Sequence, residues 1–523
     1  MSPRVVVIGG GLAGITAAIA LASSGAQVTL LEARPRLGGA TCSFTRDGLV
    51  IDTGQHIYLG CCSAYRGLLG KLGMTAHAPL QDRFDVTVLA PGSPGRLAAR
   101  LRRTALPGPL HMLPALGRYP FLSWAERAAV SRPALAMRRL DPADPALDAQ
   151  RFGDWLAARG QSERARRALW DLFTVSALNI AGDDASLALA ATVVKTGLLG
   201  KNNAADIGIP ALPLGELHGD AAAVLLAKLG ARVALGTKVS AIEVGAIDVS
   251  EDPGARYRVR LAHPSADLPA GAGLPTEIDA DAIVLAVPHE KAAPLVPPDA
   301  LPPGTVAAWS GLGASPIVNV HVIYDRPVTD LPFAAAIDSP VQWVFDRTHI
   351  SGLHTAGRGQ SQYLAISLSA ADDYAEVPVA RLREQFVPAL AELFPAAREA
   401  QVTEFFVTRE RRATFRQGPG SGALRPKTGT RLPGLVLAGA WTDTGWPDTM
   451  EGAVRSGLSA AIELRPTLLD QGLLNRSRGP ARPSEPTWAA VPAASSEPNA
   501  SASTPNASAS TPNASASTMG VRQ

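Results

Sequence analysis

Residues 5–39, VVVIGGGLAGITAAIALASSGAQVTLLEARPRLGG, predict a βαβ unit that binds a nucleotide. The apolar run 5–8 is typical of a buried parallel strand, and the Ala- and Ile-rich residues 12–24 favour a helix after it. A second strand, predicted over residues 28–31, ends at Glu32. This carboxylate follows the first glycines by about twenty residues, where it can accept hydrogen bonds from the hydroxyls of an adenosine ribose.

Three glycines with G-x-G-x-x-G spacing stand between the first strand and the helix. Gly9 allows the tight turn, Gly11 lets the backbone approach a pyrophosphate, and Gly14 lets the helix pack closely on the strand. The N-terminal amides of the helix, together with its dipole, would hold the phosphates. Strand, glycines, helix, strand and acid in register therefore predict a dinucleotide-binding domain.

The continuation of the chain after this acid favours FAD over NAD. An arginine-rich stretch leads to the pair Gly38 and Gly39, which gives the backbone a second close approach to the nucleotide. This stretch resembles the large flavoprotein superfamily of amine oxidases and carotenoid desaturases, whose FAD motif continues into an Arg-rich stretch and a glycine pair. The resemblance implies FAD as the cofactor.

Two distant segments resemble further parts of the same superfamily. Residues 432–461, LPGLVLAGAWTDTGWPDTMEGAVRSGLSAA, are similar to its closing FAD motif, in which an apolar strand, a glycine turn and a helix N-terminus face the flavin. Residues 234–242 and 282–288 resemble its adenine-side strand pair. This resemblance implies a backbone contact from Val239 to the adenine.

The resemblance places one set of residues around the cofactor. They are Gly9, Gly11, Leu12, Ala13, Gly14, Glu32, Ala33, Arg34, Gly38, Gly39, Gly54, Gln55, Val239, Gly439, Asp443, Thr449 and Met450. Two positions depart from the superfamily pattern, since Ala40 stands where many relatives carry an Arg and Ala440 where they commonly carry an Asp. A lost charge-assisted hydrogen bond is worth about 1.5–3 kcal/mol. Weaker FAD binding is therefore expected unless Asp443 reaches the vacated position.

A more local resemblance narrows the expected function. Residues 52–62, DTGQHIYLGCC, and 442–454, TDTGWPDTMEGAV, resemble the hydroxysqualene dehydroxylases, the squalene-associated FAD-dependent desaturase family of hopanoid synthesis. The resemblance implies reductive removal of a hydroxyl from a polyisoprenoid such as hydroxysqualene. Two alternatives stay open: another oxidation within the superfamily, either carotenoid desaturation or amine oxidation, and a non-catalytic FAD-containing protein that handles lipids.

Removing an allylic hydroxyl needs an acid for the leaving oxygen, besides a hydride from reduced flavin. His56 is the candidate acid, because imidazole titrates near neutral pH and its motif lies beside the flavin in relatives; a structural role is the alternative. Gln55 could hydrogen-bond the flavin edge or the substrate oxygen, and Asp52 is expected to fix the loop. Large aromatic residues of later segments are expected either in the pocket wall or in the core; these are Phe333, Trp343, Phe345, Trp441 and Trp446.

The order of the motifs predicts an α/β fold, with a Rossmann-like FAD-binding domain of the glutathione-reductase/amine-oxidase type and a discontinuous α+β substrate domain. The FAD-binding domain would consist of three segments, 1–90, 211–295 and 426–468. The substrate domain would consist of the two intervening segments, 91–210 and 296–425.

Further elements are predicted inside and after the substrate domain. Its helices should come largely from residues 123–200, and its strands from 315–325, 341–345 and 362–368. Residues 469–523 are predicted to be a disordered low-complexity tail, because PNASAST occurs there three times in succession and offers too little apolar area to fold.

Charge and cysteine usage favour an enzyme of a reducing cytoplasm. The 49 Lys and Arg residues against 46 Asp and Glu give a net charge of +3, which provides no strong field for a nucleic acid. Cys42, Cys61 and Cys62 have no metal-ligand spacing, so no metal site is predicted. The sequence enters the first strand without a charged and apolar leader, so a signal peptide is not expected.

Segment 96–139 is locally basic and amphipathic. It holds nine Arg against one Glu, interleaved with Leu, Met, Phe and Trp124. This pattern is typical of an element lying in the interface of an anionic bilayer, with the solvated face of ordinary helices as the alternative. Because a polyisoprenoid must be collected from a membrane, peripheral contact with the inner face of the cell membrane is expected. Squalene-synthase-like enzymes are possible partners under the same resemblance.

Overall fold

The computed structural model describes residues 2–92, 98–108, 110–245, 256–262, 275–357 and 359–470. The strands, in chain order, are β1 (Arg4–Ile8), β2 (Gln27–Leu31), β3 (Ser43–Arg46), β4 (Leu49–Asp52), β5 (Tyr58–Leu59), β6 (Asp85–Leu89), β7 (Ala98–Arg102), β8 (Ile207–Gly208), β9 (Arg232–Ala234), β10 (Val239–Val244), β11 (Tyr257–Leu261), β12 (Glu277–Ala280), β13 (Ala282–Leu285), β14 (Ser315–Tyr324), β15 (Phe333–Ala336), β16 (Trp343–Asp346), β17 (Gln362–Leu368), β18 (Val402–Thr414) and β19 (Leu435–Leu437).

The α-helices, between which shorter 3₁₀- and π-helical segments also occur, are numbered in the same way. They are α1 (Leu12–Ser23), α2 (Ser63–Leu72), α3 (Leu113–Gly117), α4 (Trp124–Ala129), α5 (Ser131–Met137), α6 (Pro145–Asp148), α7 (Phe152–Ala157), α8 (Glu163–Ala165), α9 (Asp171–Leu178), α10 (Leu187–Val193), α11 (Ala221–Lys228), α12 (His289–Ala292), α13 (Thr305–Ala308), α14 (Val379–Leu393), α15 (Ser421–Leu424) and α16 (Met450–Asp470). No helix of the described ranges is long and apolar enough to cross a membrane. The predicted tail lies outside the described residues from residue 471 onward.

A five-stranded parallel sheet forms the first layer, in the order β19-β13-β1-β2-β9. Parallel strands covered on both faces consist of nearly continuous apolar residues, and in β1 alternate side chains enter two different cores. Val5 and Val7 pack with α1 and α16 on one face, whereas Val6 and Ile8 pack with β10–β12 on the other. The predicted β1–α1–β2 unit is confirmed to within one residue at each end.

Helix α16 reaches α1 through a glycine. A Cβ on Gly457 would lie 2.3 Å from the carbonyl oxygen of Ala13, so a larger residue would push the two helices apart. This contact joins the last described helix to the first nucleotide-binding element, 444 residues earlier in the chain by the numbering of these two positions. The C-terminal motif is thereby brought beside the N-terminal glycines.

The second layer is a seven-stranded mixed sheet, in the order β18-β14-β17-β16-β15-β6-β7. Helices from residues 113–193 pack on part of it, and α14 packs on the side that carries Val318 and Ile366. The helices predicted within 123–200 and the three predicted strands are confirmed. The predicted boundary at residue 90 is wrong by a few residues, because β6 pairs with β15 and therefore belongs to this second sheet.

Residues 234–242 do not form one strand. Ala234 ends β9 in the parallel sheet, the chain turns through Gly236 with φ +64°, and Val239 begins β10 in the antiparallel sheet β10–β11–β12. The turn requires a positive φ at Gly236, a backbone conformation that residues with a side chain rarely adopt.

Candidate active site

The glycine turn after β1 is closed by backbone contacts. The Gly38 N–H donates to the carbonyl oxygen of Gly10 over 2.8 Å, which ties the second glycine stretch to the first. A Cβ on Gly14 would lie 1.9 Å from the Gly9 carbonyl oxygen, and one on Gly9 would lie 2.4 Å from that of Ala286. Packing of the protein itself therefore requires glycine at positions 9 and 14.

Gly11 is glycine for a different reason. It is the N-cap residue of α1, and a Cβ there would meet nothing nearer than the Gly39 Cα at 3.8 Å. The backbone therefore faces open space at a helix N-terminus, where free N–H groups and the helix dipole attract an anion. This space fits a pyrophosphate, and a side chain would fill it.

Glu32 ends β2 beside the same turn. One carboxylate oxygen accepts from the Gly10 N–H at 2.6 Å, and the other accepts from the Arg34 N–H at 2.8 Å. Each oxygen keeps a second lone pair. The residue is 9 % exposed, so the carboxylate is fixed while it can still accept the hydroxyls of a ribose.

The other residues predicted to lie at the nucleotide differ in how far they are buried. Ala33 and Arg34 are exposed, and Arg34 Nη1 donates to the Gly39 carbonyl oxygen at 3.3 Å. Ala13 is buried in the core beneath the turn. Val239 is buried at the start of β10 in the core on the opposite face of the sheet, and its contact with adenine stays a prediction.

The C-terminal motif forms the other side of the site. Gly439 has φ +136° and donates its N–H to Ser456 Oγ at 2.8 Å, which anchors the turn to α16. Thr449 and Met450, at the start of α16, line a cavity together with Ala440. Asp443 is exposed and does not line this cavity, so the geometry does not support its proposed compensation for Ala440.

A cavity of about 290 Å³, called the flavin cavity below, lies between the two motifs. It is lined from the N-terminal side by Leu12, Gly38, Ala40, Thr53, Gly54, Gln55 and His56; from the C-terminal side by Ala440, Asp448, Thr449, Met450 and Ala453; and from the second layer by Ser176, Asn179, Ile317, Trp343, Phe345 and Glu410. The glycine turn, the predicted Gln-His pair and the closing motif therefore meet at one place.

Two residues that line this cavity carry a buried polar atom without a hydrogen-bond partner among the described residues: Gln55 at Nε2 and His56 at Nδ1. Asn319, outside the lining, likewise has an unpaired Oδ1, and its Nδ2 donates to the Thr53 carbonyl oxygen at 3.2 Å. Buried polar atoms are almost always paired. The two unpaired atoms of the lining indicate groups that a ligand satisfies, and the polar edge of a flavin has the donors and acceptors to do so.

The loop that carries Gln55 and His56 is held by a buried ion pair. Asp52 accepts from Arg347 and also from Ser43 Oγ at 2.6 Å and the Leu214 N–H at 2.9 Å. Asp52 and Arg347 are both largely buried. The prediction that Asp52 fixes the loop is confirmed, and Arg347 is the partner that sequence analysis did not identify.

A second cavity of about 180 Å³, called the apolar cavity, adjoins the first. The two share six lining residues: Ile57, Ser176, Ala177, Trp343, Thr449 and Met450. Most other residues of the second cavity are apolar; they include Leu59, Phe84, Leu172, Phe173, Val193, Leu198, Ile207 and Trp446. A hydrocarbon chain with one end in the flavin cavity can therefore extend into the apolar cavity.

The predicted aromatic wall is correct in part. Trp343 lines both cavities, Phe345 lines the flavin cavity and Trp446 lines the apolar cavity. Phe333 and Trp441 are core residues instead, outside the lining of either cavity. The cysteine pair Cys61–Cys62, free thiols of the described chain, borders the apolar cavity, whereas Cys42 is buried elsewhere.

Two titratable groups of the flavin cavity are shifted in opposite directions. Burial lowers the pKa of His56, so its imidazole is neutral at pH 7. Burial raises the pKa of Asp448 to about 6. Asp448 lies within the motif 442–454, but the sequence alone assigns it no role, because its environment is created by residues far away in the chain.

The residues present fit FAD on three observations. The glycine turn leaves room for a pyrophosphate, Glu32 offers free acceptor positions, and unpaired polar atoms border the cavity at the opposite end. Gly11, Gly39 and Glu32 would hold the nucleotide end, and Gln55, Thr449 and Met450 would border the ring.

Comparison with known proteins places the chain among flavoproteins. Residues 12–464 match the family of flavin-containing amine oxidoreductases. The chain is 29 % identical to a hydroxysqualene dehydroxylase of Rhodopseudomonas palustris over 88 % of its own length and 98 % of the relative. It is 24 % identical to a chloroplastic and chromoplastic zeta-carotene desaturase of Arabidopsis thaliana over 88 % of its own length and 84 % of that protein.

A solved structure shows the same fold at low sequence identity. Cyclohexylamine oxidase from Brevibacterium oxydans superimposes with a TM-score of 0.63 at 20 % identity, covering 90 % of this chain and 100 % of the oxidase. The predicted α/β fold class is confirmed by this likeness.

Proposed function

Because the chain belongs to the flavin-containing amine oxidoreductase family, and is thus an FAD-dependent oxidoreductase, we propose that it removes the hydroxyl of a polyisoprenoid alcohol reductively, converting hydroxysqualene to squalene. The observation that carries the proposal is the apolar cavity that continues from the flavin cavity. Its lining suits a long hydrocarbon, and the polar groups are concentrated at the flavin end, where a single hydroxyl would lie.

The protein's contribution to this reaction is binding, orientation and exclusion of water. Bound FAD supplies hydride chemistry at the flavin ring. Trp343 and Met450 line both cavities and would hold the chain of the substrate across their junction. Gln55 Nε2 has no partner in the part of the chain that the structure describes, and it can donate a hydrogen bond to the flavin or to the substrate oxygen.

The same apolar cavity also suits carotenoid desaturation, and the similarity to a zeta-carotene desaturase favours that reaction as the second candidate. The two reactions differ in the direction of electron flow, because desaturation reduces the flavin and dehydroxylation oxidises it. Amine oxidation has no corresponding support in the lining of the apolar cavity, and a non-catalytic lipid-handling protein would leave its flavin unreactive.

The direction of electron flow provides the test. The purified enzyme is reduced anaerobically with dithionite, excess reductant is removed, and hydroxysqualene in detergent is added. We expect oxidised-flavin absorbance to return with formation of one squalene per flavin. Oxidised enzyme with phytoene or zeta-carotene is the matched reaction, and bleaching of the flavin there, with no reoxidation by hydroxysqualene, would replace the proposal with desaturation.

We further propose that the enzyme contacts an anionic membrane through residues 106–135. Five of the ten large apolar side chains that are exposed in the described structure fall in this stretch: Leu106, Leu110, Leu113, Trp124 and Leu135. The guanidinium of Arg127 lies over the Trp124 ring, with its Cζ 4.5 Å from the ring centroid. Apolar side chains among arginines are the combination that inserts at an anionic interface.

One hydrogen bond connects this stretch to the segment that follows a lining residue of the apolar cavity. The Gly108 N–H donates to Asn202 Oδ1 at 2.6 Å, four residues after Leu198, which lines that cavity. We propose that the substrate enters from this side, with the enzyme attached peripherally at the inner face of the membrane and supplied by a squalene-synthase-like enzyme.

Liposome sedimentation tests the membrane contact. We expect binding to vesicles containing phosphatidylglycerol, and a loss of at least tenfold in the Leu110→Glu/Trp124→Glu variant. Val379→Glu is the matched control, because Val379 is an exposed apolar residue on α14, at a distance in sequence from the proposed surface. Equal binding by all three proteins, or no binding by the wild type, would contradict the contact.

A further inference from the structure

Asp448 is positioned by two hydrogen bonds from one segment. Its N–H donates to Gln417 Oε1 at 2.9 Å, and its Oδ2 accepts from the Phe415 N–H at 2.9 Å. Gln417 is fully buried and is itself held, since its Nε2 donates to the Leu178 carbonyl oxygen at 2.8 Å. The carboxyl group is therefore fixed at the wall of the flavin cavity before any substrate binds.

The second oxygen of this carboxyl group remains available. Among the residues that the structure describes, the side chain of Asp448 is hydrogen-bonded through Oδ2 alone and forms no ion pair. Arg425 is the cation that acts on it, and its Nη2 donates to the carbonyl oxygens of Ala440 and Thr442 instead. Glu290 is the neighbouring anion, and it is paired with Arg412.

The other carboxylates near the two cavities are less suited to transfer a proton. Glu410 on β18 also lines the flavin cavity, but it is only partly buried, and no hydrogen bond or ion pair among the described residues fixes its carboxylate. Glu451 borders the apolar cavity, but it is paired with Arg455 and accepts from the Ala64 and Tyr65 amides. Asp52 lies behind the loop in its pair with Arg347. Asp448 combines contact with the flavin cavity, a fixed position and an oxygen free of protein partners.

We propose that Asp448 is the proton donor to the hydroxyl that leaves the substrate, an inference that rests on the proposed dehydroxylation. The carboxyl O–H bond breaks and its proton forms an O–H bond to the hydroxyl oxygen. The C–O bond breaks with its electron pair on oxygen, so that water departs. The carbon receives a hydride, with its electron pair, from reduced FAD, and solvent returns a proton to the carboxylate.

The shifted pKa supports this role for Asp448 over His56. A carboxyl group with a pKa of about 6 retains about one tenth of its acid form at pH 7. Its protonated fraction rises as pH falls, so the rate of flavin reoxidation by substrate should rise as pH falls toward 6 and level off below it. Burial moves the pKa of His56 in the opposite direction, away from the acid form.

Asp448→Asn tests the role because asparagine keeps the shape and the acceptor for the Phe415 N–H but cannot give up a proton in this pH range. We expect full flavin content and reoxidation by hydroxysqualene slowed about 10²–10⁴-fold, the usual range for a general acid, with no remaining dependence on pH near 6. Glu290→Gln is the matched control. It removes a neighbouring carboxylate outside both cavities and should keep the pH profile, displaced slightly to lower pH.

A second measurement does not depend on turnover. Burial also raises the pKa of Asp171 to about 6, so the spectra are recorded in an Asp171→Asn background. Infrared difference spectra of this oxidised, substrate-free holoenzyme between pH 5 and pH 7.5 should show a protonated carboxyl band that titrates near 6. The band should be absent when Asp448→Asn is added and present when Glu290→Gln is added. Its presence after Asp448→Asn would overturn the proposal.

The rate measurements separate this inference from the function on which it rests. An active wild type with an equally active Asp448→Asn variant overturns the role of Asp448 and leaves the function intact. A wild type that hydroxysqualene does not reoxidise overturns the function and this role together, and that failure is visible before any variant is made.

Discussion

The two ends of the cofactor site differ in how completely the protein satisfies its own polar groups. At the nucleotide end, both Glu32 oxygens are hydrogen-bonded and the Gly38 N–H reaches the Gly10 carbonyl. At the flavin end, Gln55 Nε2 and His56 Nδ1 have no partner among the described residues. The first end is thus fixed by hydrogen bonds within the protein, and the second has polar atoms that a ligand or a solvent molecule can satisfy.

Substitutions at the glycines should have the largest effect, because they remove FAD binding at the nucleotide end or prevent folding. Gly11→Val is expected to fold and to lose FAD, because its Cβ meets no protein atom closer than 3.8 Å but fills the space for the pyrophosphate. The measurement is flavin absorbance per protein after purification, with circular dichroism as the check on folding.

Gly14→Ala provides the contrast within the same motif. Its Cβ would lie 1.9 Å from the Gly9 carbonyl oxygen, so we expect loss of soluble protein and not merely loss of flavin. A yellow, fully loaded Gly11→Val protein would show that the pyrophosphate lies elsewhere.

A buried ion pair supports the flavin end, and its removal should have the next largest effect. Arg347→Met leaves Asp52 as a buried charge without a counter-ion, which typically costs about 3–5 kcal/mol. We expect a lower midpoint of urea unfolding and partial loss of flavin, since Asp52 holds the loop before Gln55.

The matched control is the exposed pair Arg411–Glu376 on the second layer. Arg411→Met should leave the midpoint of urea unfolding nearly unchanged, because solvent screens exposed charges. Equal midpoints for both variants would mean that the pair of Asp52 and Arg347 contributes little to the folded state.

Sequence predicted the nucleotide end well because its determinants are local. The β1 strand, the glycines and Glu32 fall within 35 residues, and close contacts between them follow from the spacing alone. The flavin end depends on contacts across the chain: Arg347 pairs with Asp52 across 295 positions. The environment of Asp448 likewise depends on Phe415 and Gln417 in another segment. A motif shows the residue, but burial and the direction of a pKa shift need the fold.

His56 tests the role of a single side chain at the flavin end of the site. Its motif favours His56 as the acid, whereas burial lowers the pKa of its imidazole and leaves the ring neutral at pH 7. We therefore expect His56→Ala to retain FAD and to slow reoxidation by hydroxysqualene about tenfold, the effect of losing roughly one hydrogen bond of 1.4 kcal/mol. The pH profile should remain that of the wild type.

The comparison variant for His56 is Asp448→Asn. If His56→Ala instead slowed the reaction by about 10²–10⁴-fold and abolished its pH dependence, the imidazole would be the acid. The role proposed for Asp448 would then be wrong.

The smallest effect is expected from deleting the C-terminal residues, which are predicted to contact neither end of the cofactor site. Helix α16 carries Met450 at the flavin cavity, and its apolar side chains Val454, Leu464 and Leu468 are buried against the first layer. Deletion of residues 471–523 removes a stretch whose sequence has no core-forming pattern. We expect unchanged flavin content, urea midpoint and reoxidation rate.

A deletion that also removes 464–470 is the control, and it should lower the midpoint because it takes Leu464 and Leu468 out of the core. If the shorter deletion lowered flavin content as well, residues beyond 470 would have to contact the site, and the C-terminal limit of the FAD-binding domain would move accordingly.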